Sequence, residues 1–180
     1  MDTGDDAAQR AVIREEAGVA GMSYEIRWAR DSEWSPIMKM VWKTFLRFDG
    51  QDYTQEGIRN FFEFITDDDL YISFLRGEYQ LMVAVERGKV IGAGSVRSGN
   101  HLSLLFVDEA YQHRGVGSAI IARLCRYLRD EAGECFMTLK AAPYAVDFYR
   151  KLGFKAVKPE EEYLGIRVTA MEKPLDIVSF

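Results

Sequence analysis

The stretch HLSLLFVDEAYQHRGVGSAIIARL, residues 101–124, narrows the folds open to this chain more than any other. Positions 102–107 are apolar at nearly every step, so a strand there needs cover on both faces and belongs in the middle of a sheet with helices on either side. A polar run with two glycines follows. Ile120, Ile121, Leu124 and Leu128 then fall on one helical stripe, leaving Arg123, Arg126, Arg129 and Asp130 to the opposite side. CFMTLKA, residues 135–141, reads as another strand, and strand, helix and strand in succession predict a parallel pair joined by a right-handed crossover.

The remaining segments supply the cover. SYEIRWA alternates Tyr24, Ile26 and Trp28 with polar neighbours, the period of a strand. Ser32 as N-cap, with Pro36 in the first turn, opens a helix that carries Ile37, Val41, Trp42 and Phe45 on one face. Thr54 caps a second helix with Ile58, Phe61, Phe62 and Ile65, and the aspartates at 67–69 read as a solvated turn. Residues 79–108 form an antiparallel meander that turns at ERGK and SGN. PYAVDFYRKL is a helix that starts near Pro143 and stops at Gly153, and strands around 154–157 and 165–172 close the sheet. The expected class is therefore α+β, a mixed, mostly antiparallel twisted sheet with one parallel pair and about four helices. At 180 residues the chain has the size of one compact domain with one core, placed at 23–180, with 1–22 an extension that is partly disordered or one short helix.

Composition removes several functional classes. A formal charge of −5 gives no general attraction for nucleic acid or an anionic membrane, so an anion site has to be built locally. No apolar run approaches the roughly 20 residues of a bilayer span, and MDTGDDAAQR lacks the order of a secretion signal, which predicts a cytoplasmic location. Cys125 and Cys135 have no CxxC spacing or histidine neighbours; buried reduced thiols and no metal are expected.

A helix begins with N–H groups that lack intrahelical partners and with the positive end of its macrodipole, so a bare backbone there suits an anion. Gly115 and Gly117 keep that approach clear, while Arg114 and Ser118 add donors. A phosphate is the natural occupant. The pattern GxxxxGK[ST] is absent, and Ile120 stands where a dinucleotide-binding loop has its third glycine, so neither of those ligands is expected. A tight strand-to-helix turn without a ligand would also use two glycines.

Gln112, Gly115 and Gly117 match [QR]-x-x-G-x-[GA], and with LLFVDEAYQ before the loop and AVDFYRKLGF after it the chain resembles the GNAT superfamily of acyl-CoA-dependent N-acyltransferases over residues 23–172. The resemblance implies acetyl-CoA as cosubstrate and an acetyl transfer to a primary amine of a small molecule or peptide, by direct attack in a ternary complex. Phe106 and Val107 would meet the pantetheine arm through main-chain groups, and Gln112, His113, Arg114, Gly115, Val116, Gly117 and Ser118 would hold the pyrophosphate. The strands at 102–107 and 136–140 would splay around the thioester. A homodimer is a family habit. A catalytically silent acyl-CoA sensor of the same fold, or an interaction module using the N-terminal arm, are the other readings, and thioester turnover separates the first of these from an enzyme.

Direct transfer needs a neutral amine, a polarised carbonyl and a proton for the departing thiolate. Tyr149, the tyrosine of the family's second signature, is the candidate acid; otherwise it packs beside Phe148 and Phe154. His101, thirteen residues before Arg114, is the candidate base, in the region where some family members carry a glutamate, and its plain alternative is a strand-end histidine bonded to a carbonyl. Glu109 reads as solvated. Asp49, Asp52 and Glu56 make the loop between the first two helices acidic, which suits a cationic amine, or leaves a solvent-facing acidic loop. Trp34, Trp42 and Tyr53 are candidates for an apolar wall, with Trp42 at core spacing.

Overall fold

The computed structural model describes residues 23–176. The expectations for 1–22 lie outside them. The strands are β1 (Glu25–Trp28), β2 (Gln80–Glu86), β3 (Lys89–Arg97), β4 (His101–Val107), β5 (Phe136–Ala141), β6 (Lys155–Ala156), β7 (Glu161–Tyr163) and β8 (Ile166–Pro174). The helices are α1 (Trp34–Phe48), α2 (Gln55–Ile65), α3 (Asp68–Leu75), α4 (Val116–Asp130) and α5 (Val146–Lys151). The sheet order is β1-β2-β3-β4-β5-β8-β6, with β7 paired to β8, and β4 lies in the middle as its apolar run requires. Every pairing is antiparallel except β4 with β5.

The sheet divides the interior in two, where composition alone predicts one core. Leu81 and Val83 of β2 face α1–α3 with Ile37, Val41, Ile65 and Phe74. Met82 and Ala84, the alternate residues, face α4 and α5 with Ile120, Leu124, Leu128 and Tyr149. On β4, Val96 lies opposite Leu102 but Ser95 opposite Leu104, so Ser103 is bulged and the side-chain alternation shifts by one. Leu102 and Leu104 therefore reach different faces.

Several local readings are corrected. Ser32 lies inside a 3-10 turn, Asp31–Glu33, ahead of α1, whose N-cap position is Glu33. The aspartates at 67–69 start α3: Asp67 accepts the amide N–H of Asp69 at 2.8 Å, and two further carboxylates stand at the favourable end of the helix dipole. Arg123 is buried at 8% exposure instead of facing water. Cys125 is partly covered and Cys135 exposed, so neither is a buried thiol. Thr54, in contrast, caps α2 as its position predicts, accepting from Gly57 N–H at 3.1 Å.

Candidate active site

The loop from Gln112 to Gly115 bends through two left-handed residues, His113 at φ 60° and Gly115 at φ 82°. Gly115 is the N-cap of α4 and makes no side-chain cap. A Cβ there would meet nothing within 4 Å, so conformation selects the glycine while its open side stays unobstructed. The first intrahelical bond runs from Ala119 N–H to Gly115 O, 3.0 Å. The amides of Val116, Gly117 and Ser118 precede it at the positive end of a 15-residue helix. Gly117 answers to packing: a Cβ would lie 3.4 Å from Phe148, an ordinary contact that an alanine also satisfies.

β4 and β5 stay in register at one pair only, His101 opposite Thr138, and separate beyond it towards Val107. Asp108 N–H donates to Ile91 O at 2.9 Å, next in register after Val107 opposite Gly92. By antiparallel alternation the main-chain groups of Phe106 turn to Ala93, and those of Leu105 and Val107 turn towards the gap. The main chain of Leu105 and the N–H of Val107 thus face the gap, and that of Phe106 does not. The Phe106 ring packs on Phe61 at 5.8 Å, on the α2 side. Gln112 does not point its amide at the loop's open side: Nε2 donates to Val107 O at 3.0 Å, tying the loop to the end of β4. Arg114 lies over the Tyr111 ring at 5.8 Å. The residues at 106–118 are therefore brought together at one end of the gap, where β4 stops and α4 starts.

The two acid–base candidates are not brought onto a common partner. Tyr149 is buried, packed edge-on to Phe148 at 5.1 Å and Phe154 at 5.5 Å. Burial, and then the charge of Asp49, push its hydroxyl above the ordinary tyrosine range, so it keeps its proton throughout neutral pH. His101 lies at the closed end of the gap, six residues from Val107, about 20 Å of strand at 3.3 Å per residue. Its Nδ1 meets Thr138 Oγ1 at 2.9 Å, not a carbonyl. Desolvation, with Arg97 and Lys140 nearby, holds its imidazole below the usual range and hence neutral. Glu109 is exposed and pairs with Arg47 at 3.4 Å.

The acidic stretch after α1 differs from its sequence reading in one respect. Asp52 and Glu56 are exposed, but Asp49 is 5% exposed, with Tyr144 Oη donating to its Oδ1 at 2.6 Å. Tyr144 was not among the residues that sequence singled out. Only the folded chain joins positions 95 residues apart, so no local signal marks the pair. Tyr53 packs edge-on to Phe45 at 4.8 Å and bridges to Ile166 of β8. Trp42 stacks with Phe45 at 5.7 Å and Trp34 with Phe74 at 5.0 Å, which puts both in the aromatic layer under α1–α3. Among the described residues no group of His, Cys, Asp or Glu side chains gathers to hold a metal ion.

Residues 50–175 match the family described as an acetyltransferase (GNAT) domain. The chain is 30% identical over 80 residues to glucosamine 6-phosphate N-acetyltransferase of Trypanosoma brucei brucei, an overlap of 38% of this chain and 53% of that protein, so it spans about half the length of the curated relative it matches. Its fold is similar to a GCN5-related N-acetyltransferase of Rhodopseudomonas palustris, with TM-score 0.73 and 21% identity over 86% of this chain and 97% of that one. It is also similar to the PaiA N-acetyltransferase of Thermoplasma acidophilum solved with coenzyme A, with TM-score 0.70 and 16% identity over 85% and 99% of the two chains.

Proposed function

Because this chain belongs to the GNAT acetyltransferase family, we propose that it moves an acetyl group from acetyl-CoA to a primary amine by direct attack within a ternary complex. The observation that carries this reading is the uncapped start of α4 at the mouth of the β4/β5 gap: three amides and a helix dipole face the place where a diphosphate sits when the pantetheine arm follows the strand. Val116, Gly117 and Ser118 supply main-chain donors, Arg114 adds positive charge, and the main chain of Leu105 and the N–H of Val107 face the arm, the Val107 carbonyl being taken by Gln112. The amine nitrogen attacks the thioester carbon, the C–N bond forms as the C–S bond breaks, and Tyr149 protonates the departing sulfur. Neither cysteine lies in this arrangement, which suits transfer without a covalent enzyme intermediate.

Two measurements test the proposal. Calorimetry with acetyl-CoA is expected to give saturable binding that Gly115→Val weakens at least tenfold, because valine resists positive φ and fills the open side of the turn. Release of coenzyme A thiol is expected only when a primary amine from a panel is present. Absence of binding to well-folded protein would overturn the reading; binding with no thiol release across the panel would leave an acyl-CoA sensor in its place.

A further inference from the structure

Asp49 is costly where it stands. It is the C-cap residue of α1, at the negative end of the helix dipole, and it is 5% exposed. One carboxylate oxygen receives the Tyr144 hydroxyl at 2.6 Å; the other, Oδ2, is fully buried with no hydrogen-bond partner. The groups around it are Tyr53 and Asp52 from the α1–α2 connection, Tyr144 from the 3-10 turn Pro143–Ala145, and Tyr149 from α5. None is a cation, and among the described residues no lysine or arginine forms an ion pair with it. A buried carboxylate oxygen without a donor destabilises the fold unless something completes it. Asp49 also acts electrostatically on Tyr149, the group assigned to the leaving sulfur.

We propose that Asp49 Oδ2 is the seat for the ammonium group of the acceptor and the first acceptor of its proton, which makes the substrate an amine that arrives as a cation. This rests on the acetyltransferase reading and adds to it the residue that recognises the nucleophile. The ammonium transfers one proton to Asp49, which frees the nitrogen lone pair. The neutral amine attacks the thioester carbon and the sulfur leaves with the proton of Tyr149. The second proton of the amine replaces that one on Tyr149, and Asp49 releases its own to solvent as the amide departs.

Two features agree. Burial, opposed by the Tyr144 hydrogen bond and assisted by Asp52, raises the Asp49 carboxyl from 3.8 to about 6, so it is charged at neutral pH but close enough to take a proton. The same shift sets the sign of its effect on folding. A carboxyl with a raised folded-state pKa favours the fold fully below pH 3.8 and loses that contribution as pH rises through about 6. At pH 8, Asp49→Asn is therefore expected to melt no lower than the parent protein, as fits a group kept for function.

The experiment is kcat and KM against pH for the parent, Asp49→Asn and Tyr144→Phe, with an alkylamine that is cationic at neutral pH and with O-methylhydroxylamine, which is neutral there. For the parent, kcat/KM with the alkylamine is expected to fall below an acid limb near pH 6. Asp49→Asn is expected to abolish that limb and lower kcat/KM at least a hundredfold for the alkylamine but less than tenfold for the neutral amine, with acetyl-CoA affinity unchanged. Tyr144→Phe removes a bond that favours the charged form, so its limb moves to higher pH. Equal losses on both amines, or a limb that survives in Asp49→Asn, would overturn the assignment while leaving the acetyltransferase reading intact. A parent protein that binds no acetyl-CoA would overturn both.

Discussion

Tyr149→Phe is expected to lower kcat by about 10²–10³-fold and to leave the affinity for acetyl-CoA within about a factor of two, the range of general acid catalysis when one proton donor is removed. The separation follows from where the side chain sits. Its ring is held by Phe148 and Phe154, contacts that phenylalanine reproduces, and the diphosphate is assigned to the loop at 112–118 and not to its hydroxyl. Burial keeps that hydroxyl protonated throughout the neutral range, so the donor is lost outright in the variant rather than shifted. Steady-state kinetics, calorimetry and a thermal melt on one preparation check the three parts. Full turnover in the variant would remove Tyr149 from the reaction, and a collapsed melting temperature would show the hydroxyl to be structural.

The largest effect on stability is expected at Gly165, in the turn between β7 and β8. Its φ is +78°, and a Cβ would stand 2.4 Å from Thr54 Oγ1 and 3.0 Å from Gly57 N. The crowding is mutual: a Cβ on Gly57 would lie 2.7 Å from Gly165 O. Thr54 N–H and Thr54 Oγ1 both donate to that carbonyl, at 3.2 and 3.1 Å, while Oγ1 caps α2. An alanine at 165 therefore carries backbone strain, breaks a cap and pushes two main chains apart, a sum of about 2–4 kcal/mol. Gly77→Ala is the internal comparison. Its φ is +75° with nothing within 4 Å, so it should cost about 1 kcal/mol from conformation alone. Urea denaturation of the two variants measures the difference. Equal losses would mean that the turn relaxes and that the contact is not tight in solution.

The framework of this protein could be read from its sequence because its determinants are local. The apolar run of β4, the turns of the meander and the cap at Thr54 each state their role within a few residues, and Gln112, Gly115 and Gly117 are spaced for one loop. Misreadings fell where a local pattern has two physical meanings. Three aspartates suit a solvated turn and the first turn of a helix equally well, and only the apolar Leu70, Phe74 and Leu75 behind them decide for α3. Arg123 follows the polar side of the α4 pattern yet is buried. Asp49 shows the deeper limit. Next to Asp52 and Glu56 it looks like one of several loop acids, and its distinction comes from a tyrosine 95 positions later. Burial of a charge is a tertiary property, and neighbours in sequence do not report it.

The lone register pair between β4 and β5 also sets how water reaches the middle of the sheet. Along β4 the amide of Phe106 is locked against β3, whereas those of Leu105 and Val107 line an open seam. Amide hydrogen exchange should therefore alternate along this strand, slow then fast, even though the side chains are packed from both sides. A ligand lying in the seam would silence every second amide and leave the others as they were, so the strand carries a residue-by-residue record of whether its seam is filled.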